Sequence, residues 1–186
     1  QLVSANQALS LDGDGDYVDL STPLPDMTEL TIEVWAFYAS SNNDVKTIFM
    51  DATTHGGNDL VLDMNASGIG IRADKNGSSS GYEGAGAVTG LNLGNGWHHI
   101  AWSMTPKSST IYVDGILKVV RNITGSNVGY HAQSASIGRW WDEGSSRNYF
   151  AGLLDEIRIW NSARTQDEIQ TYMNMELTGG ENGLVG

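Results

Sequence analysis

The chain has 186 residues, no cysteine and a formal net charge of −12. This length suits one domain and can bury a core without disulfides, and the absence of cysteine excludes disulfide frameworks, thiolate nucleophiles and cysteine zinc sites. The acidic surface repels phosphates, so nucleic-acid binding is not expected, and no apolar run is long enough to predict membrane insertion.

Short apolar runs separated by Gly, Asn, Asp and Ser clusters predict many short strands joined by turns. The strongest strand is Leu30–Tyr38, in which alternate residues are apolar and would face a core. Asp114-Gly115 between two apolar runs predicts a tight hairpin. The other predicted strands are residues 7–11, 16–20, 46–51, 59–64, 68–73, 97–105, 109–113, 116–121, 133–139 and 150–160.

The composition of the segment 74–87 predicts a loop, and only one helix is predicted, late in the chain. Thr165 and Glu168 have the spacing of a capping box, and Ile169, Tyr172 and Met173 follow at helical spacing. Many strands without βαβ alternation predict an all-β fold, an antiparallel two-sheet β-sandwich with one short C-terminal helix. We expect one domain over residues 1–186, with its core at about 7–175 and a polar tail at 176–186 that is a linker or the start of a last strand.

Three segments carry a resemblance to a known family. They are ALSLDGDGDYVDL (residues 8–20) followed by LTIEVW (30–35), GWHHIAW (96–102) followed by IYVDG (111–115), and FAGLLDEIRIW (150–160) followed by the helix. In this order and spacing they resemble the laminin-G-like members of the concanavalin A-like lectin/glucanase superfamily. The resemblance implies a jelly roll whose first and last strands are neighbours. It also implies a module of a larger secreted or cell-surface protein that binds sugars, proteins or cells.

Asp12, Asp14 and Asp16 alternate with glycines, an arrangement that can turn several oxygen atoms toward a hard cation. An EF-hand is excluded because its loop would require Gly and Glu at later positions that hold other residues. By resemblance, a structural calcium (Ca2+) would be held by Asp12, Asp16 and Asp155, with Asp14 at a position that varies in the family. The alternative is that the aspartates only form a turn.

Asp155 also stands out on its own strand. Alternation places it on the face of Leu153, Ile157 and Ile159, which we expect to point inward. A carboxylate there would need a partner or a cation, because an unpaired buried charge is costly.

The segment 137–149 is the richest candidate for sugar recognition, which uses aromatic faces together with polar side chains. Its two adjacent tryptophans would point to opposite faces, one in the core and one exposed. The alternative is that they only anchor the core or a loop. The candidate ligand-binding residues are Arg139, Trp140, Trp141 and Tyr149 of this segment, Arg72 and Tyr82 of a second loop, and His131.

Catalysis is not predicted, because glycosidases of this superfamily use a Glu-x-Asp-x-Glu strand and the stretch from Glu29 to Glu33 lacks the middle acid. Adjacent histidines at 98 and 99 would face opposite ways and cannot share a metal. The remaining tryptophans, at 35, 97, 102 and 160, are predicted to lie mainly in the core. The sequence therefore predicts a non-catalytic module that binds a polysaccharide or other glycan. The alternative is a module that contacts cells or a cell-surface protein without a sugar site.

Overall fold

The computed structural model describes residues 8–38, 44–51, 60–73, 86–94, 96–122, 134–142 and 145–186. In this part of the chain, two six-stranded antiparallel sheets are accompanied by a two-stranded hairpin and one helix. The strands are β1 (Leu9–Asp12), β2 (Val18–Pro23), β3 (Leu30–Tyr38), β4 (Lys46–Asp51), β5 (Leu60–Asn65), β6 (Gly68–Ala73), β7 (Gly86–Thr89), β8 (Trp97–Thr105), β9 (Ser108–Val113), β10 (Ile116–Asn122), β11 (Ser134–Ile137), β12 (Trp140–Asp142), β13 (Ser145–Arg147) and β14 (Ala151–Trp160), and the helix is α1 (Gln166–Tyr172).

The first sheet has the order β1-β14-β3-β8-β9-β10, and the second has the order β2-β11-β4-β5-β6-β7. This arrangement confirms the predicted antiparallel sandwich. Strands β1 and β14 are hydrogen-bonded neighbours, as the resemblance implied. The turn at Asp114-Gly115 joins β9 to β10 with positive φ angles of 53° and 69°, which is the geometry of the predicted tight hairpin.

The core lies between the two sheets. The alternate residues of β3 that were predicted to face it, from Leu30 to Tyr38, are all fully buried, and Trp102 of β8 joins them. The indole N–H of Trp102 donates to the Ser109 hydroxyl over 2.8 Å, so this buried polar group is satisfied. The hydrophobic face of each sheet thus packs against the other sheet, and ligand contacts must come from other surfaces.

The outward face of the first sheet is covered by the helix and by the chain that follows it. The predicted capping box is present, because Thr165 and Glu168 exchange hydrogen bonds between side chain and backbone. Trp35 of β3 donates its indole N–H to the Met173 carbonyl over 2.7 Å, and the Arg158 guanidinium donates to the Tyr172 carbonyl over 2.8 Å. These bonds fix the end of the helix onto the sheet.

The tail is attached to the same sheet. The backbone N–H of Val185 donates to the Ile159 carbonyl over 2.7 Å, and Leu184 forms an antiparallel bridge with Trp160. The last residues are therefore held against β14 by backbone hydrogen bonds and one isolated bridge, without forming a strand of their own.

Four tryptophans were predicted to lie mainly in the core, and the prediction is wrong for Trp35, which is partly buried on the outward face of the first sheet, and for Trp97. The Trp97 side chain is 41% exposed, because β8 begins there at the rim of the sheet and the ring contacts Phe37 at a centroid distance of 5.9 Å. Trp160 is fully buried, but under the helix, where its ring meets Tyr172 and the Arg164 guanidinium. The two adjacent histidines have separate partners, as alternation predicted. His99 is buried 3.3 Å from the carboxylate of Glu33, while His98 lies 3.0 Å from Asp114.

Two short elements were missed. The segment 74–87 was predicted to be a loop, but its last two residues begin strand β7 (Gly86–Thr89) at the edge of the second sheet. The segment between β11 and β14 was treated as a connection, and it contains the β12–β13 hairpin. Both elements are only three or four residues long, too short for a period-2 pattern to emerge.

Candidate functional site

The outer face of the second sheet, which points away from the core, carries most of the predicted ligand-binding residues that the structure describes. Strand register aligns Met50 of β4, Val61 of β5 and Arg72 of β6 in one row on this face. The neighbouring residues Phe49 and Leu62 point the other way and are fully buried in the core. Side chains on this face are therefore available to support or contact a ligand.

A groove runs along β6 on this face, which we call the β6 groove. Gly68 and Gly70 form its floor because they have no side chains, Asp63 and Asn65 of β5 lie on one side, and Thr89 of β7 lies on the other. The cavity here has a volume of about 200 Å³, and Val45 and Val88 are also among the residues that line it. Arg72 continues the same face of β6 beyond the groove, about 13 Å from Gly68 at the rise of a β-strand.

Asp63 is the titratable group of the β6 groove. The Thr47 hydroxyl donates a hydrogen bond of 2.6 Å to its carboxylate. Burial raises the pKa of Asp63 from the usual 3.8 to about 6, although the Thr47 hydrogen bond and the positive charge of Arg72 both act to lower it. Near neutral pH this carboxyl group is therefore mainly an acceptor of hydrogen bonds, and in mildly acidic solution it also becomes a donor.

One end of the β6 groove is bordered by what we call the arginine–tryptophan cluster, formed by Arg72, Trp140 and Arg147. The β12–β13 hairpin lies over the sheet and packs the Trp140 ring against Met50 and Val61. The guanidinium carbons of Arg72 and Arg147 lie 4.3 Å and 5.2 Å from the centroid of that ring. The sequence could not place Arg72 beside the tryptophans, but the structure brings them into contact.

Arg139 lies elsewhere on the same face and has its own partners. Its guanidinium donates to the Asp19 carboxylate over 2.7 Å and stacks on the Tyr17 ring at 3.6 Å. Trp141 is partly buried, with its backbone N–H directed at the Met50 sulfur over 3.2 Å. We expected one of Trp140 and Trp141 to lie in the core and the other to be exposed, but both are partly buried.

Three further residues were predicted to bind the ligand, and the structure says less about them. Tyr149 is partly buried just after the hairpin, where the Asn148 carbonyl accepts a hydrogen bond from the Thr47 N–H and attaches this segment to β4. Tyr82 and His131 lie outside the described residues. The site that the structure assembles is consequently the β6 groove together with the arginine–tryptophan cluster.

The predicted calcium ligands are not brought together. Register pairs Asp12 with Ala151 and Leu9 with Leu154, so Asp155 lies four residues further along β14 than the partner of Asp12. At the rise of a β-strand this separates the two positions by about 13 Å. The prediction that the paired terminal strands place Asp155 beside the Asp12–Asp16 turn is therefore wrong, although the strands do pair.

A β-bulge explains why Asp155 was misplaced. Glu156 has a φ of +49°, and the register of β14 against β3 shifts between Asp155 and Arg158. The extra residue reverses which side chains point inward, so Ile157 and Ile159 pack against the core while Asp155 shares the outward face with its neighbour Trp35. The Asp155 carboxylate accepts a hydrogen bond from the Glu156 N–H over 2.9 Å. Because this carboxylate does not point into the core, burial gives no reason to expect a cation beside it.

The Asp12–Asp16 turn is closed by its own hydrogen bonds. Asp12 accepts from the Asp14 N–H over 2.7 Å, Asp16 accepts from the Asp12 N–H over 3.3 Å, and all three aspartates are exposed. Within the described ranges, no three or more acidic or histidine side chains converge as a metal site would require. As placed, these residues do not fit the predicted four-carboxylate centre, and calcium binding stays a prediction.

Sequence reasoning missed Asp63, Thr47 and Arg147. The most useful signal was in β6 itself, where Gly68-Ile-Gly70-Ile-Arg72 puts two glycines and an arginine on one face. Glycine in the middle of a strand often marks a place where a ligand or another backbone comes close. Arg147 lay within the segment that was singled out, but the hairpin that turns it toward Trp140 was not predicted.

A sequence model of the Laminin_G_3 family, in the concanavalin A-like lectin/glucanases superfamily, matches residues 12–170. The chain belongs to this family. No curated protein matches the sequence.

Solved structures with the same fold have diverse origins. A proposed carbohydrate-binding protein from Bacteroides ovatus matches with a TM-score of 0.74 and 19% identity over 96% of this laminin-G-like chain and 50% of its own. The CBM40 domain of the Ruminococcus gnavus IT-sialidase, bound to α2,3 sialyllactose, matches with a TM-score of 0.67 and 12% identity, covering 86% and 97%. Domains LG4-5 of the mouse laminin α1 chain match with a TM-score of 0.60 and 16% identity, covering 83% and 41%. At these identities the likeness establishes the fold alone.

Proposed function

We propose that this laminin-G-like domain is a non-catalytic carbohydrate-binding module whose glycan lies in the β6 groove and against the arginine–tryptophan cluster. The observation that carries the proposal is the continuity of the two features, since Gly68, Gly70 and Arg72 follow one another on the same face of β6. A glycan chain that lies on the glycines would next meet the Arg72 side chain, whose guanidinium lies 4.3 Å from the Trp140 ring centroid.

The chemistry of the groove suits a sugar. Sugar rings present apolar C–H faces, which pack on aromatic rings, and hydroxyl groups, which need donors and acceptors placed around the ring. Trp140 offers the aromatic surface, and Asp63, Asn65 and Thr89 offer polar atoms along the groove. The CBM40 domain bound to sialyllactose shows that this fold can present a sugar site, and that likeness supports the proposal.

Binding without catalysis is supported by the places of the carboxylates. Hydrolysis with retention needs two carboxyl groups about 5–5.5 Å apart across the scissile bond. Glu33 is fully buried against His99 under the helix of the first sheet, and Glu29 accepts the Ala163 N–H over 3.2 Å. Among the residues that line the described groove, Asp63 is the single acid.

We further propose that the module acts outside the cell or at the cell surface, as part of a larger protein that it attaches to a polysaccharide. The family match and the laminin domains of the same fold support this location. Within the described residues, the one helix is far too short to span a membrane.

The test is native gel electrophoresis of the purified domain in a panel of plant, algal and microbial polysaccharides. Two variants probe the site: Gly70→Val fills the groove floor, where a new Cβ would only touch Asp63 at 3.5 Å, and Trp140→Ala removes the aromatic surface. Trp97→Ala is the matched control because that ring is exposed on the other sheet.

We expect the wild type and Trp97→Ala to be retarded by the same polysaccharides and the two site variants to run freely while keeping their circular dichroism spectrum. Retardation of both site variants like the wild type would move the site elsewhere, and no retardation of the wild type by any polysaccharide would refute glycan binding.

A second candidate function, contact with a cell-surface protein, rests on the edge strand β10. Ile116, Leu117 and Val120 are 55%, 46% and 54% exposed there, more than expected for large apolar side chains. An open strand edge can pair with a strand of a partner. If this function is the correct one, cell binding should survive enzymatic removal of surface glycans and be lost in Val120→Lys.

A further inference from the structure

We infer that the edge strand β10 docks an acidic, extended protein segment, which adds to the first sheet as a further strand. The inference concerns the sheet opposite to the proposed glycan site and is independent of glycan binding. It gives the chemistry of the partner for the second candidate function, contact with a cell-surface protein. It follows from the length, the backbone orientation, the exposure and the charge of β10.

Among the edge strands of the two sheets, as far as the structure describes them, β10 is the longest. It has seven residues, whereas β1 and β7 have four each, and β2 has six, which include an aspartate and a proline. Proteins usually keep exposed edges short or interrupt them, because an open edge pairs readily with another chain. The long and partly apolar edge of β10 is therefore the place in this sandwich where a further strand fits.

The backbone of β10 presents open hydrogen-bonding groups to the outside. In an antiparallel pair, alternate residues direct their N–H and C=O groups toward the partner strand and away from it. The Leu117 N–H points away from β9, because it donates to the Gln166 side chain over 3.0 Å. Leu117, Val120 and Asn122 lie opposite alternate residues of β9, at positions 112, 110 and 108, so the backbone groups of all three point outward. In the part of the chain that the structure describes, no hydrogen bond occupies the outward groups of Val120 and Asn122.

The side chains of β10 offer apolar contact on one face and positive charge on the other. Leu117 and Val120 oppose outward-facing residues of β9 and are 46% and 54% exposed. Arg121 opposes a core-facing position of β9 and is exposed at the open edge, and Lys118 is the extra residue at the bulge. Apolar pairs and opposite-charge pairs between neighbouring strands both stabilise a sheet. A strand that alternates apolar and acidic side chains therefore matches both faces of this edge.

The charge of β10 favours an acidic partner over a second copy of this chain. Two of its seven residues are basic and none is acidic, although the whole chain has 22 acids against 10 basic residues. Neither Lys118 nor Arg121 forms an ion pair with another described residue. Two copies of β10 side by side would crowd like charges along one seam, which disfavours self-pairing, whereas acidic side chains opposite the same two residues are attracted.

The experiment measures binding of fluorescently labelled peptides to the purified domain by anisotropy at low salt. One peptide alternates valine and glutamate, a second has lysine in place of each glutamate, and a third is the acidic peptide with two prolines at its centre, which remove backbone donors. Val120→Pro removes an outward N–H, and an edge strand tolerates proline where the N–H faces solvent. The double variant Lys118→Glu, Arg121→Glu reverses the charge of the edge. Lys46→Glu is the control, because it changes a basic residue on β4 of the second sheet.

We expect the wild type and the control to bind the acidic peptide about tenfold more tightly than the basic one, since opposite-charge pairs replace like-charge pairs. The double variant should reverse this order. Val120→Pro should bind neither peptide while keeping its circular dichroism spectrum, and the wild type should not bind the proline-containing peptide. Added salt should reduce the preference for the acidic peptide, because screening weakens exposed charge pairs.

Four results would overturn the inference. If the wild type does not bind the acidic peptide, β10 is only an edge that its charges protect from pairing. Equal affinity for the acidic and basic peptides would refute the argument from charge. Binding of the acidic peptide that survives in Val120→Pro would show that the peptide does not add as a strand. A dimer of the wild type in sedimentation velocity that is lost in Val120→Pro would identify the partner as a second copy. The glycan proposal is unaffected by each of these results, because its site lies on the other sheet.

Discussion

Replacement of Asp63 by asparagine should change how the folding stability depends on pH, and the raised pKa of Asp63 gives the size of the change. Burial raises the pKa of this carboxyl group from 3.8 to about 6 in the folded protein. The stabilisation that comes from its protonated form is therefore complete below about pH 4 and is lost as the pH rises through 6. At 1.36 kcal/mol per pKa unit the loss is on the order of 3 kcal/mol.

Asparagine keeps the shape of the side chain and can still accept the hydrogen bond from Thr47, but it cannot ionise. We therefore expect Asp63→Asn to be more stable than the wild type at pH 7 by about 2–3 kcal/mol and nearly equal to it at pH 4. Urea unfolding at intervals of half a pH unit measures this difference. With slopes of roughly 2 kcal/mol/M, the midpoints at pH 7 should differ by about 1 M.

The comparison with a variant removes the contribution of the other carboxylates, which titrate in both proteins. Asp26→Asn is the matched control because Asp26 is exposed, and its curve should run parallel to that of the wild type. Parallel curves for Asp63→Asn and the wild type would show that the groove is open to water and that Asp63 is not desolvated. The described burial of Asp63 beside Gly70 would then be wrong.

Two further predictions concern the first sheet and the predicted calcium. Gly152→Ala should lower the melting temperature by about 10 °C, since a new Cβ would collide with the Phe37 carbonyl and cost about 3 kcal/mol, whereas Gly180→Ala, with open space around it, should melt like the wild type; equal melting of both variants would contradict the described β3–β14 contact. From the sequence, millimolar calcium should raise the melting temperature over that in chelator by roughly 5–10 °C. Because Asp155 lies far from the turn, calcium should raise the melting temperature of Asp155→Asn as much as that of the wild type, and should raise that of Asp14→Asn less. Loss of the calcium effect in Asp155→Asn would show that Asp155 is a ligand after all. No calcium effect in the wild type would refute the calcium prediction.

The fold could be predicted well because its main strands are long enough for alternation to be read. Leu30–Tyr38 alternates over nine residues and was assigned to its correct face, and the Asp114-Gly115 turn required positive φ angles that few other pairs tolerate. The limit of this reasoning appears at the bulge of β14. A single residue at Glu156 reverses the alternation, and nothing in the sequence Leu-Leu-Asp-Glu-Ile marks it.

The candidate site was predicted only in part because it depends on contacts between distant segments. The tryptophan pair and Arg72 were chosen for their chemistry, but their contact needs the register of three strands and a hairpin placed across them. Asp63 had no local signal, since its importance comes from Gly70 opposite to it and from burial by neighbours remote in sequence. Local pattern identifies residue types suited to a ligand, and only tertiary structure decides which of them meet.

The proposed use of the second sheet for binding agrees with how the first sheet is covered. Trp35, Glu33 and Arg158 point outward from the first sheet, where exposure of so much apolar and charged surface in one place would be unfavourable, and the helix and tail cover them. The second sheet needs no such cover over β6, because glycines occupy the positions where large side chains would otherwise stand. A sheet face lined by glycine leaves backbone accessible at low cost in hydrophobic exposure, and a polar ligand can contact it closely. Trp140 packs on Met50 and Val61 of this face and stays partly exposed, so its removal is the most direct test of the proposed glycan binding.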